Sequence, residues 1–396
     1  METKLYKLNN PIKHYEWGSM NLIPKFTGIE NKEMRPCAEM WMGTHLSPSQ
    51  VKQGDKMISL TQAVGRELPF LFKLIAVEKP LSIQAHPDKE QAREGFEREN
   101  KAGIPIDAPE RNYKDTNHKP EIICALSPFT MMAGFRDPGN IYLSLKDFMY
   151  AVPQLKEVIT PLLRALESDS LAIFLNVLFH ITQSEREYLA AFIINNEINE
   201  TETISPEQIQ LMKKLAAEYP SDAAVLSPLY LNILTIQKGQ AVYIPAGILH
   251  AYIHGFGIEL MSSSDNVLRG GLTPKHIDII ELMKIVNFSA YEPKVLFPGS
   301  RAFSYPSACD DFSLSYMNDE GDNGAEDDGG KNILSKNASY ICIVIDGKLD
   351  VAGVSFKKGE SFFISSDEDI VLSGNYSVFA AAEKEKAAQS SSALTA

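Results

Sequence analysis

The run GQAVYIPAGILHAYIHGFGIELMSSSDNVLRGGLTPK, residues 239–275, constrains the fold more than any other stretch of the chain. Gly239 opens it, Ala241-Val242-Tyr243-Ile244 reads as a strand, Pro245-Ala246-Gly247 as a tight turn, and Ile248-Leu249-His250 as the start of a second strand. A histidine just past such a turn presents its ring to whatever the sheet encloses. By residue type alone, a lone His among apolar neighbours is more often a satisfied structural residue than a ligand. Two carboxylates, Glu259 and Asp265, and two cations, Arg269 and Lys275, follow within the same run and weigh toward chemistry.

The spacing of Gly239, Pro245, Gly247 and His250 resembles the second half-motif of the cupin superfamily, except that His254 stands where that pattern usually has Asn. The resemblance implies a small jelly-roll barrel with His250 pointing inward as a metal ligand, and partner ligands elsewhere in the chain.

A chain of 396 residues is too long for one ordinary core, and its 44% hydrophobic content suffices for two or three domains. The formal net charge of -13 excludes wholesale binding to nucleic acid or anionic lipid, since both need a cationic face. Cys37, Cys124, Cys309 and Cys342 are scattered without metal or disulfide spacing and read as buried thiols in a reducing compartment. With no apolar segment of membrane-spanning length and no secretory leader, the expectation is a cytoplasmic, monomeric protein without membrane contact.

Along the chain, residues 1–139 read as mainly β. In Leu81-Ser82-Ile83-Gln84-Ala85-His86-Pro87 a period of two puts Ser82, Gln84 and His86 on one face. Residues 88–101 read as a charged surface helix. In Asn117-His118-Lys119-Pro120-Glu121 the proline forces extended backbone, so Glu121 opens a buried apolar strand and needs a partner there. Residues 140–225 read as a helical insertion, with Ser205-Pro206-Glu207-Gln208 as a capping-box start. Residues 274–286 form an amphipathic segment, and 318–331 an acidic, glycine-rich solvated loop. The segment 358–364 (KGESFFI) echoes 238–244 (KGQAVYI), which predicts a second barrel. No histidine follows Ile364, so that copy holds no metal. The tail from about 384 is low-complexity and predicted to be disordered.

Gln84, His86, Glu121 and His250 offer two imidazoles, a carboxylate and an amide, an ordinary zinc set apart from the less common amide. Separate placement of each donor in a satisfied core network is the rival reading. The blocks LSIQAHPDK, YKDTNHKPEI and HAYIHGFGIELMSSSDNVLRGGLTPK, with the earlier AEMWMGTH, resemble the signature blocks of type I mannose-6-phosphate isomerases and span most of residues 38–275. That resemblance implies Gln84, His86, Glu121 and His250 as ligands of one zinc ion, with a sugar phosphate as substrate. It also implies aldose-ketose isomerisation between mannose 6-phosphate and fructose 6-phosphate through a cis-enediol.

Such chemistry needs a base, an enediolate stabiliser and a group that opens the sugar ring. Arg269 suits the enediolate, and the family resemblance gives it an essential role. His118 and Lys119 suit ring opening or proton transfer. Lys119, Lys275, Arg269 and Ser82 are the candidate substrate contacts. Asp265 and Glu259 compete for the base, with Asp265 favoured because it lies nearer Arg269 along the chain. Ser262 stands where the family usually has alanine, and Gly270 where alanine is common; neither change removes a functional group. An iron-dependent oxygenase and a sugar-phosphate-binding regulator with a vestigial site are the rival functions, and intact Lys119, Asp265 and Arg269 argue against the latter.

The fold expectation is therefore mainly β with a helical insertion: two cupin-like jelly-roll barrels plus an all-α domain. Residues 1–139 and 226–295 form the catalytic unit, 140–225 the insertion, and 296–396 a metal-free β unit.

Overall fold

Period-two alternation organises the strands around the site. In Phe70–Val77, which is buried throughout, Phe70, Phe72, Leu74 and Ala76 join one core cluster, while Ile75 and Val77 join another on the opposite face with Lys73 between the same rows. Glu121–Ala125 splits likewise, Ile122 and Cys124 to one side and Ile123 and Ala125 to the other. The chain is described here by a computed structural model covering residues 3–168, 170–319 and 332–384. The acidic stretch 320–331 and the tail 385–396 lie outside the described residues.

The long strand His250–Ser262 is the axis of an 11-stranded sheet. Its first part pairs antiparallel with Ile83–Ala85 and Phe129–Phe135, and its second part with Glu121–Ala125 on one edge and Phe70–Val77 on the other. Ala241–Ile244 extends the sheet beside Glu121–Ala125, and Leu268–Gly271 beside Ile83–Ala85. One strand thus gathers four neighbours from distant parts of the sequence.

A 7-stranded sheet contains Ala302–Tyr305, Ser313–Asn318, Ser339–Val351, Val354–Lys357, Ser361–Ser365 and Ser373–Ala382. One of its edges is Lys4–Lys7, paired with Ser361–Ser365, although the sequence reading groups residues 1–139 with the other sheet. The two sheets share a core: Phe72, Leu74 and Ile258 pack in one cluster with Ile341, Phe363 and Phe379. At about 1.5–3 kcal/mol for each such side chain fully buried, this shared face is a major source of stability.

Between the strands ending at Phe135 and starting at Leu231 the chain is helical, with Pro138–Ala151, Lys156–Leu166, Leu171–Phe179, Gln183–Asn195 and Pro206–Glu218 as the longer helices. Ser205 accepts from the Gln208 amide in a reciprocal capping box with Pro206 in the first turn, as the sequence predicts. Asp88 caps Lys89–Lys101 in the same way. The apolar helix faces pack on Ile83, Ala85, Leu249, Ala251 and Leu268, the sides of the site strands that turn away from Gln84 and His250. The helices therefore fix those strands from behind. No helix among the described residues is long and apolar enough to cross a membrane.

Candidate metal centre and active site

Three sequence-distant segments converge on one buried point. His86, Glu121 and His250 place a donor atom each within 4.8 Å of one another. His86 Nε2 lies 3.3 Å from Glu121 Oε1, and His250 Nε2 lies 3.2 Å from Glu121 Oε2. The Gln84 amide joins them, its Nε2 3.4 Å from His250 Nε2; a half-turn of its terminal torsion offers an oxygen instead.

Backbone contacts prepare both imidazoles. His86 Nδ1 donates to the Asn266 carbonyl at 2.7 Å, and His250 Nδ1 donates to the Ile248 carbonyl at 2.9 Å. With the proton held on Nδ1, each Nε2 keeps its lone pair toward Glu121. The turn before His250 depends on Gly247, at φ +78°, whose amide donates to the His86 carbonyl at 2.8 Å and where a Cβ would meet the Ile285 carbonyl at 2.9 Å. Only glycine fits there without strain.

The cluster is short of partners. His86 Nε2 and Glu121 Oε1 are buried without a hydrogen bond; Lys119 Nζ sits 2.8 Å from that oxygen as an ion pair but outside hydrogen-bond geometry. Buried polar atoms seldom go without a hydrogen bond, so two that do, facing an amide and a second imidazole, fit a cation. Burial alone would push the Glu121 carboxyl up, but the Lys119 ammonium and the imidazoles outweigh it and hold it well below the carboxylate range. Burial, with Lys119, lowers His86 to about 4, keeping it a neutral donor.

Of the other sequence candidates, Arg269 is half-buried and lies directly opposite Gln84 in the antiparallel pairing of their strands, so the two share a face. Ser82 is half-buried two positions before Gln84. Lys275 is exposed on the rim of a cavity of about 590 Å³ also lined by Arg186, Asp222 and Thr273. Partial burial and repulsion from Arg269 and Lys114 lower its ammonium, which places three cations in one neighbourhood.

The two carboxylates compared as bases occupy different surroundings. Glu259 is 3% exposed, ion-paired with Lys73, and accepts from the Tyr252 hydroxyl at 2.8 Å; that hydroxyl also lies 3.4 Å from Glu121 Oε2. Burial and Glu121 raise its carboxyl against the pull of Lys73. Asp265 is 32% exposed, its amide tied to Asp115 at 2.8 Å and its Oδ2 3.2 Å from His45 Nε2. Burial opposes its ionisation, but His45, Lys119 and Lys114 keep it low. His118 has its Nε2 2.8 Å from Asp311, which lies between two strands of the second sheet.

Several residues at the site escaped the sequence reading. Lys73 is a single cation in an otherwise apolar strand, and that interruption was its available signal; Tyr252 shares the parity of His250. Asn266 ties the site's loops together: its Oδ1 accepts from the Lys114 amide at 2.7 Å and its Nδ2 donates to the Asn117 carbonyl at 2.8 Å. Ser264 adds a bond to Asp115 at 2.9 Å. These bonds explain why the 113–121 and 259–275 blocks carry so many small polar residues.

Residues 5–138 match the family model for the phosphomannose isomerase type I catalytic domain. The mannose-6-phosphate isomerase of Escherichia coli strain K12 is 35% identical, over 93% of this chain and 96% of that protein. The Bos taurus mannose-6-phosphate isomerase is 28% identical over 93% of this chain and 95% of that protein. A crystal structure of the Salmonella typhimurium enzyme bound to fructose 6-phosphate and zinc superposes with a TM-score of 0.83 at 32% identity, covering 96% of this chain and all of that one. The chain belongs to the type I mannose-6-phosphate isomerase family.

Proposed function

We propose that this protein interconverts mannose 6-phosphate and fructose 6-phosphate through a cis-enediol, using one zinc ion held by Gln84, His86, Glu121 and His250. The observation that carries the reading is the pair of buried atoms without a hydrogen bond, His86 Nε2 and Glu121 Oε1, beside two further donors, in a chain whose structural neighbour holds zinc and the ketose phosphate. A bound zinc ion supplies Lewis acidity, and with one carboxylate among three neutral donors it keeps net positive charge.

The chain's own residues supply the rest. Arg269 stabilises the oxygen charge of the enediolate, as a fixed cation with several donors. Asp265 moves the proton between C1 and C2: it is ionised and partly exposed, whereas Glu259 is buried and occupied by Lys73 and Tyr252. In this assignment Glu259 orients Tyr252 against Glu121. Lys119 and His118 handle the protons of ring opening, and Ser82 contacts the sugar. Lys275, with Arg269 and Lys114 near it, receives the phosphate. A unit cation about 4 Å from an anion near the surface contributes roughly 4 kcal/mol before desolvation, enough to overcome a diffuse acidic field.

The architecture we infer is two cupin-like jelly-roll barrels, the first catalytic and the second without metal, with residues 140–225 as an all-α insertion. The protein acts as a cytoplasmic monomer. Turnover of mannose 6-phosphate before and after chelation tests the reading: activity is expected to vanish with the metal and return with zinc. Full activity in metal-free protein, or oxygen consumption supported by iron, would refute it.

A further inference from the structure

We infer that Asp311, contributed by the second sheet, is a positioning residue that sets the tautomer and orientation of His118; this rests on the ring-opening role proposed for His118. Asp311 lies in the connection between Ala302–Tyr305 and Ser313–Asn318, while His118 stands three residues before Glu121. Their contact, His118 Nε2 to Asp311 Oδ2 at 2.8 Å, joins residues 193 positions apart. The carboxylate is itself held in place. Ser262 Oγ donates to Oδ2 at 2.8 Å, Lys89 Nζ donates to Oδ1 at 3.0 Å, and the Asp311 amide donates to Cys309 Sγ at 3.3 Å. The two side chains are only 18% and 14% exposed, so water screens the pair weakly.

A carboxylate accepts but does not donate, so the His118 proton in the neutral ring resides on Nε2 and the lone pair on Nδ1. That is the relation by which a buried carboxylate prepares a histidine base. In ring opening, Nδ1 takes the proton of the O1 hydroxyl, whose electron pair closes the C1=O1 bond. The C1–O5 bond then breaks, and its pair accepts the proton that Nδ1 returns to O5. Asp311 stabilises the imidazolium between these transfers. The titratable groups facing the ring are Asp311, the Cys309 thiol and the Lys89 ammonium; burial opposes protonation, and Asp311 outweighs it so that the ring is raised overall. Ser262, the residue that departs from the family's alanine, is one of the donors fixing Asp311 and also lies 3.5 Å from Cys309 Sγ. The second sheet thus contributes to proton handling without contributing a ligand to the metal centre.

The test is a double-mutant cycle in the zinc-loaded protein. Asp311→Asn is expected to lower kcat by roughly 10–100-fold with KM within about two-fold, to move the acid limb of the rate profile to lower pH, and to leave zinc content unchanged. In a His118→Gln background the same change is expected to have no further effect. Asp311→Glu is expected to restore part of the rate. If Asp311→Asn does not fold, Ser262→Ala replaces it, with the same limb shift in smaller measure. Equal losses in both backgrounds, an unshifted pH limb, or a second metal equivalent that disappears with Asp311→Asn would overturn the inference. If His118→Gln alone keeps the parent rate, the ring-opening role of His118 fails instead.

Discussion

The two sheets begin alike and end differently. Lys238-Gly239 and Lys358-Gly359 make equivalent turns, with glycine φ of 86° and 82°, and each leads into a strand, Ala241–Ile244 or Ser361–Ser365. After the first strand comes Pro245-Ala246-Gly247 and then His250; after the second comes Ser366-Asp367-Glu368. The first sheet encloses Lys73, His86, Glu121, His250 and Glu259 among its buried polar residues. The second packs Val344, Leu349, Phe356, Phe362, Ile364 and Val378 in their place. A shared strand plan therefore makes a scaffold, and polar residues gathered on one face of its strands make a candidate site, with the register shift between Tyr252 and His254 bringing His250 and Glu259 to the same side.

Two substitutions sharpen that contrast, and the largest stability losses are expected from them. Phe362→Ala removes a fully buried ring stacked on Phe356 at 4.4 Å and is expected to cost about 3–5 kcal/mol in chemical denaturation while zinc stays bound. Lys73→Met leaves Glu259 without its buried ammonium, and a similar loss of about 3–5 kcal/mol is expected, with zinc content falling as well. If both variants lost zinc equally, the division of labour between the sheets would fail.

Arg269→Ala tests chemistry at the first sheet alone. Its kcat is expected to drop by roughly 10²–10³, or about 2.7–4 kcal/mol of transition-state stabilisation, with little change in melting. A kcat within about ten-fold of the parent would remove the enediolate role. Tyr252→Phe deletes the hydroxyl between Glu121 and Glu259, and zinc affinity by competition titration is expected to fall about 10–100-fold.

A last prediction concerns pH dependence in the metal-free form. His86 has its pKa lowered from 6.5 to about 4, by burial first, so between those values the unfolded chain binds more protons. Stability is therefore level above 6.5 and falls as pH drops through that window, with Glu121, held well below 4.5, adding a further loss under it. Denaturant midpoints across this range check the sign, and His86→Gln is expected to flatten the upper part.

Much of the first sheet's candidate site, the convergence of His86, Glu121 and His250, was legible because its residues lie on or beside short strands whose parity can be read directly. Gln84 and His86 are two apart, and Pro120 fixes the entry of Glu121. The turn before His250 is spelled out by Pro245 and Gly247. The capping box at Ser205 was equally local. What escaped depends on tertiary pairing: Lys4–Lys7 carries no mark of which sheet edge it joins, and Asp311 meets His118 only after two sheets pack together. The choice between Asp265 and Glu259 also turned on burial, which sequence proximity to Arg269 does not report.

Metal analysis of purified protein tests the central claim most directly, comparing the parent with the Glu121→Ala, His250→Ala double variant after dialysis against a weak chelator. The account expects one zinc per chain in the parent and almost none in the variant, with secondary structure retained. Stoichiometric zinc in the variant would contradict it.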